Sequence, residues 1–163
     1  MTVTTIDPAE FRKVLGSYPT GVCVITALDG EKPAGMVVGS FTSVSLDPPL
    51  VGFFPDKSSS SWRQIEKHGH FCVNVMGADQ QGVCRAVMAK GEEKFVGVDY
   101  VLSDHNLPII ADSIACIECE LYSVTEAGDH WFVLGKVLRM ETVRDDDPML
   151  FHRGRYGGFA ERM

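Results

Sequence analysis

Short stretches rich in apolar and β-branched residues, broken by turn residues, predict a chain built mainly of β-strands. Five such stretches lie in the first half of the chain, at residues 22–28, 34–40, 41–46, 50–54 and 71–76. Asp29-Gly30 and Asp47-Pro48-Pro49 supply turns between them. Two longer stretches, 113–125 and 130–142, flank turn residues and predict a long β-hairpin.

Three segments carry helix signals. Asp7 is a suitable cap and Pro8 suits the first helical position, which predicts a helix at about 8–16. Serines open a second predicted helix at 58–69, and apolar residues one turn apart predict a third at 79–90.

Between and after these elements the pattern is irregular. Residues 91–108 show no clean period and predict a long loop, and residues 151–159 predict a glycine-rich tail. Because strands and helices do not alternate regularly, a doubly wound parallel sheet is disfavoured. The pattern favours a closed antiparallel barrel, since closure leaves no unpaired edge strand.

Length and composition indicate one globular domain over residues 1–163, with the helix at 8–16, a barrel at 20–143 and a tail at 144–163. The chain is 45% hydrophobic, which excludes a disordered chain. Its net charge of −7 argues against nucleic acid as a partner. No apolar run approaches the roughly 20 residues that span a membrane. Met1–Glu10 lacks the features of a signal peptide, so we expect a cytoplasmic protein.

Cysteine and histidine positions suggest no metal site and no catalytic triad. The cysteine count is odd and four cysteines sit in apolar runs, which predicts buried free thiols. Cys116 and Cys119 have the C-x-x-C spacing of some metal and redox sites, but they fall in one predicted strand, where their odd spacing points them to opposite faces. Two strand cysteines are therefore favoured over a metal or redox role. The histidines lack metal-ligand spacing, and no Ser-His-Asp arrangement is present.

A run of four serines, Ser58–Ser61, opens the second predicted helix directly after Lys57. Hydroxyls, free backbone N–H groups and a lysine suit a phosphate, but serine is also a favoured N-cap. Lys57 before a helix N-terminus opposes the helix dipole, and a bound anion would resolve that mismatch. Both interpretations remain open.

Two further segments could contact a ligand. Hydroxyls at Ser40, Ser43 and Ser45 could hydrogen-bond a planar polar ring that approaches Gly39 closely, although a strand with one polar face is the simpler interpretation. His130, at the tip of the predicted hairpin, could donate to a ligand or only stabilise the turn.

Taken together, these segments resemble the flavin reductase family, the small reductase components of two-component flavin monooxygenases. The matching stretches follow the family order and cover nearly the whole chain: residues 11–26, 40–50, 57–62, 71–75, 94–97, 128–130 and 148–157. The resemblance implies a split antiparallel β-barrel of Greek-key type with about three short helices, usually assembled as a homodimer.

The resemblance also implies where cofactors bind. The implied flavin-binding residues are Val37, Val38, Gly39, Ser40, Phe41, Phe54, Pro55, Lys57, Ser58, Ser59, Ser60, Lys94 and Phe95. His130 and Tyr156 would contact the nicotinamide cofactor. The family often carries Thr and Asn just before Ser40, where this chain has Val37 and Gly39. Backbone groups therefore replace two side-chain hydrogen bonds, or the flavin binds more weakly.

The activity implied by the resemblance is reduction of FMN or FAD by NADH or NADPH. Hydride passes between the two cofactors, so we expect no catalytic acid or base in the protein. We expect the reduced flavin to be delivered to a separate monooxygenase. The alternatives are an oxidoreductase that keeps FMN tightly bound and acts on another substrate, and a non-catalytic flavin-binding module.

Overall fold

The structure, a computed structural model, describes residues 5–163; the first four residues of the predicted domain lie outside this range. Its helices are α1 (Pro8–Leu15), α2 (Ser60–His68) and α3 (Gln81–Met88), each slightly shorter than predicted. Asp7 caps α1 by accepting a hydrogen bond from the backbone N–H of Ala9 at 3.3 Å. None of the helices in residues 5–163 is long and apolar enough to cross a membrane.

Twelve strands lie in the described part of the chain. They are β1 (Thr20–Gly21), β2 (Cys23–Asp29), β3 (Lys32–Val38), β4 (Thr42–Leu46), β5 (Pro49–Phe53), β6 (His70–Val75), β7 (Tyr100–Leu102), β8 (Pro108–Ile110), β9 (Ala115–Ala127), β10 (His130–Thr142), β11 (Leu150–His152) and β12 (Arg155–Gly157).

The main sheet contains seven antiparallel strands in the order β3-β2-β6-β9-β10-β5-β4. β9 and β10 form the predicted long hairpin, paired from Ala127–His130 to Ala115–Thr142. Six of these strands contribute to one buried cluster, with representatives Ile25, Ala34, Phe53, Phe71, Cys119 and Val133. A flat sheet could not bring these side chains together, so the sheet curls around this cluster, the main core.

The barrel is open on one side. β3 and β4 are the two edges of the main sheet, although only residues 39–41 separate them in the chain. The closed barrel that the pattern favours is therefore wrong at this point, and the split barrel that the resemblance implies agrees with the structure. Within residues 5–163, β3 pairs only with β2 and β4 only with β5, which leaves a split between the two edges.

Helix α2 covers one end of the core. Trp62 and Ile65 lie on its buried face, as the helical spacing predicts. Phe53 meets the ring of Trp62 edge-on, with centroids 5.7 Å apart, and that of Phe71 at 5.3 Å. Burying each such side chain contributes roughly 1.5–3 kcal/mol, so this contact fixes α2 against the barrel.

Two segments without predicted structure contain short strands. In the predicted loop, β7 pairs with β8, which begins at the last residue of that loop, Pro108. In the predicted tail, β11 pairs with both β12 and β1, which brings the chain end back to Thr20. These strands have two or three residues each, too few to show an alternating pattern in the sequence.

All five cysteines are buried free thiols. Cys119 belongs to the main core, whereas Cys116 packs with Cys72 and Leu107 in a separate small cluster. The prediction that Cys116 and Cys119 point to opposite faces of one strand is confirmed.

One carboxylate is also buried within β9. Glu118 is 1% exposed and lies 3.2 Å from both His105 Nδ1 and Arg139 Nη1. Burial opposes its ionisation, but hydrogen bonds from Ser103, Arg139 and His105 outweigh this effect and leave the pKa of Glu118 below its usual value.

Candidate functional site

The segment implied to lie along a flavin ring runs beside the split in the barrel. Val38 is buried in the main core, and Val37 packs against a second apolar cluster that includes Val24 and lies on the other face of the sheet. Gly39 to Phe41 form the connection between the two edge strands. Ser40 Oγ accepts a hydrogen bond from the backbone N–H of Phe54 at 3.0 Å. The structure thus brings the 37–41 segment and Phe54 together, as the resemblance implies.

Gly39 lies directly against Thr20, a residue that sequence reasoning did not single out. A Cβ added to Gly39 would lie 2.7 Å from Thr20 Oγ1. This hydroxyl is buried and has no hydrogen-bond partner within residues 5–163. The only sequence signal for it is its place inside the stretch 11–26 that carries the family resemblance.

Tyr156 reaches the same place from the end of the chain. Thr20, Val37, Gly39 and Tyr156 are among the residues that line a cavity of about 190 Å³ beside the split. The pairing of β1 with β11 brings the C-terminal hairpin here. The structure therefore joins the implied nicotinamide contact at Tyr156 to the implied flavin strand.

The hairpin tip lies against the loop that follows β5. The backbone N–H of Lys57 donates to the carbonyl of Asp129 at 3.0 Å, and that of Trp131 donates to Pro55 at 2.9 Å. Asp56 and His130 form a β-bridge. The structure thus places His130 next to the implied phosphate-binding loop.

Asp56 organises this loop. Its Oδ1 accepts hydrogen bonds from the backbone N–H and the hydroxyl of Ser58, both at 2.7 Å. These bonds and the nearby His130 lower the pKa of Asp56, although partial desolvation opposes the shift. These hydrogen bonds therefore favour the ionised carboxylate.

The structure separates the roles within the serine run. Ser59 is the N-cap of α2, since its side chain accepts the backbone N–H of Trp62 at 3.1 Å. Lys57 Nζ donates to Glu126 at 3.0 Å and lies 4.7 Å from the centre of the Trp131 ring. Glu126 thus supplies a negative charge for Lys57, whose contact with a phosphate stays a prediction.

Lys94 and Phe95 have different surroundings. Lys94 Nζ donates to Ser61 Oγ at 3.0 Å, and burial lowers the pKa of this lysine. Phe95 is only 8% exposed, and its ring packs so closely on Gly35 that a Cβ there would lie 2.7 Å away. Ser60 and Lys94 line a cavity of about 530 Å³, whereas the Phe95 ring belongs to the core and its flavin contact stays a prediction.

Together these positions could bind a ligand with a flat polar ring and an anionic end. The split offers exposed backbone at Gly39 and an unpartnered hydroxyl at Thr20. The cavity at Lys94 offers an ammonium group and serine hydroxyls. This set of groups suits a flavin nucleotide.

Comparison with known proteins gives consistent matches over the chain. A family model described as a flavin reductase like domain matches residues 15–160. A flavin reductase of Pseudomonas putida is 56% identical over 158 residues, which are 96% of this chain and 93% of the relative.

Solved structures are also similar. A homologue of nitrilotriacetate monooxygenase component B from Mycobacterium thermoresistibile has a TM-score of 0.90 at 44% identity, covering 93% of this chain and 86% of its own. The NADH:FAD oxidoreductase SgcE6 of Streptomyces globisporus, in complex with NAD and FAD fragments, has a TM-score of 0.88 at 36% identity, covering 97% and 98%. The predicted fold class, a split antiparallel barrel, is confirmed.

Proposed function

Because the chain belongs to the flavin reductase family, we propose that it transfers a hydride from NADH or NADPH to FMN or FAD. The observation that carries this proposal is the meeting of three distant segments at the split: residues 37–41, the loop 54–59 and the hairpin tip at His130. When bound, the flavin supplies the hydride acceptor and the nicotinamide supplies the hydride. The protein has to bind the two cofactors, orient them and exclude water.

Each part of the site has a proposed role. The backbone at Gly39 and the hydroxyl of Thr20 face the flavin ring, where the family often carries polar side chains. Lys94 and Ser60 bind the phosphate end. His130 and Tyr156 orient the nicotinamide. The hydroxyl of Thr20, which has no hydrogen-bond partner among residues 5–163, supports this arrangement, because a buried hydroxyl is expected to have a partner when the site is filled.

We propose that the reduced flavin leaves and serves a separate monooxygenase in the cytoplasm. One similar structure is described as a component of a monooxygenase, which supports a partner of this kind. Five buried thiols, all free, support a reducing compartment.

We propose that the protein is a homodimer. Helix α1 buries none of its residues, and Phe11, Val14 and Leu15 are each more than half exposed. Leu46 on the edge strand β4 is 97% exposed. A second copy, related by two-fold symmetry, would cover such apolar side chains. Light scattering should therefore give about twice the mass of 17.9 kDa, and a fully active monomer would contradict the proposal.

The experiment that tests the function is steady-state oxidation of NADH and NADPH with FMN, FAD and riboflavin as acceptors. We expect turnover with added flavin and little colour in the protein after desalting. A protein that stays yellow and turns over a different acceptor would favour the tightly bound FMN alternative. A bound flavin that NADH or NADPH fails to bleach under anaerobic conditions would favour the non-catalytic alternative.

A further inference from the structure

The cavity beside the first turn of α2 is unusually basic for this chain. Lys32 lines it from the start of β3, Lys90 from the residues after α3, and Lys94 from the segment after Gly91. Asp29 is the one carboxylate among its lining residues. A chain with a net charge of −7 thus gathers three ammonium groups around one cavity of about 530 Å³.

These lysines lack acidic partners in the described residues 5–163. No carboxylate lies within 4.0 Å of Lys32, Lys90 or Lys94 in that range, whereas Lys57 has one at 3.0 Å. Asp29 is already occupied, since its Oδ2 accepts a hydrogen bond from Gln64 at 3.0 Å. Three like charges around one cavity repel one another, and a bound anion would relieve this repulsion.

The cavity continues from the proposed flavin site. Ser60 and Lys94 belong to both, and Lys94 is hydrogen-bonded to Ser61 in the first turn of α2. One phosphate bound by Ser60 and Lys94 would leave Lys32 and Lys90 without an anion. The volume also exceeds what one phosphate needs, because cavities of about 300–1,000 Å³ commonly hold ligands the size of a drug molecule.

The cavity has an apolar side as well. Pro33 and Met88 line it together with the lysines. A flat, weakly polar ring could pack against these two side chains while an anionic linker reaches the lysines. FAD has this composition beyond the FMN half: a second phosphate, a ribose and an adenine ring.

Resting on the proposed function, we propose that this cavity binds the second phosphate and the adenosine of FAD, and that Lys32 and Lys90 make the enzyme prefer FAD to FMN. Lys94, which lies where the two sites meet, contacts the phosphate that FMN and FAD share. Lys32 and Lys90 are specificity-determining residues and take no part in hydride transfer.

Equilibrium titration of the full-length protein with FAD and with FMN, in the absence of NADH, tests this proposal. Wild type should bind FAD more tightly than FMN. Lys32→Gln and Lys90→Gln should each weaken FAD binding by about tenfold or more, which is the effect of losing a hydrogen bond to a charged group. The same variants should weaken FMN binding by less than about threefold. Both lysines are exposed, so these variants should fold normally, which circular dichroism would check.

Lys67→Gln is the matched control, because Lys67 lies at the far end of α2 and does not line the cavity. It should leave both affinities unchanged. The proposal would be overturned if the Lys32 and Lys90 variants lost affinity for FAD and FMN equally. It would also be overturned if wild type bound the two flavins with equal affinity. Parallel steady-state assays with NADH and NADPH give a further outcome: a loss confined to NADPH, with both flavin affinities unchanged, would overturn the proposal too, since it would assign the lysines to a different phosphate.

The two proposals fail in different ways. If wild type reduces FMN with NADH but shows no preference for FAD, only the FAD cavity is wrong. If wild type prefers FAD and the lysine variants remove this preference, but no nicotinamide reduces the flavin, only the proposed activity is wrong.

Discussion

Replacing Gly39 by alanine tests how closely Thr20 packs behind the split. The added Cβ would lie 2.7 Å from Thr20 Oγ1, well inside ordinary contact, and 3.5 Å from Thr20 Cβ. Gly39 does not have a positive φ, so alanine introduces no backbone strain of that kind. The whole effect should come from moving the short, β-branched side chain of Thr20.

The expected size follows from this geometry. Turning a side chain off its preferred rotamer costs about 0.5–1.5 kcal/mol, and adding a carbon to a well-packed site costs about 1–3 kcal/mol. We therefore expect Gly39→Ala to lower the free energy of unfolding by about 1–2 kcal/mol. Thr20→Ala removes a hydroxyl that has no partner in the described chain, so it should change stability by less than about 1 kcal/mol.

Urea denaturation of wild type, both single variants and the double variant measures this coupling. In the double variant the new methyl group has space. The double variant should therefore lose about 1 kcal/mol less unfolding free energy than the sum of the losses in the two single variants. A Gly39→Ala protein as stable as wild type would refute the reasoning, as would strict additivity. The same proteins report on binding, because Thr20→Ala should weaken flavin about threefold to tenfold if its hydroxyl contacts the ring.

Three other substitutions test separate parts of the structure. His130→Ala should raise the KM for NADH and lower kcat/KM about threefold to tenfold with flavin affinity unchanged; a lower Tm with normal kinetics would assign His130 to the turn alone. Lys57→Ala should weaken FMN binding by about tenfold and riboflavin binding much less, whereas equal losses of affinity for the two flavins would argue against a phosphate contact. Glu118→Gln should lower stability at pH 7 by about 1–3 kcal/mol, because Arg139 and His105 lose a charged acceptor. The pKa of Glu118 is lowered by folding, so its contribution is present above the ordinary glutamate pKa and is lost as pH falls through the lower folded value; urea denaturation from pH 7 to pH 3 should show a smaller acid-dependent loss in the variant.

The main sheet could be predicted because each of its long strands has a recognisable local sequence pattern. β2, β5 and β6 are apolar runs bounded by turn residues, and the 13-residue strands β9 and β10 flank an obvious turn. The open side of the barrel could not be predicted from this pattern. It depends on the chain leaving β3 at Val38 and entering β4 at Thr42 without pairing the two strands, and no local preference encodes that choice.

In the candidate site, too, the contacts between distant residues could not be predicted from local sequence. Thr20 and Gly39 are 19 positions apart, and Tyr156 joins them only because the C-terminal hairpin pairs with β1. A buried hydroxyl without a partner can be recognised only once the fold has removed it from water. The family resemblance indicated the strand at 37–41, but only the structure shows that Thr20 fills the space beside Gly39.

The serine run shows that local sequence does not reveal every charge around Lys57. A lysine before a helix N-terminus opposes the helix dipole, and the local sequence does not indicate which distant carboxylate pairs with Lys57. The partner is Glu126, which lies 69 positions away and reaches Lys57 through the tip of the long hairpin. Lys94 contacts the same end of the helix, where it donates a hydrogen bond to Ser61 and has no carboxylate within 4.0 Å among residues 5–163. The requirement for an anion at this helix therefore applies most strongly to Lys94 and the cavity beside it.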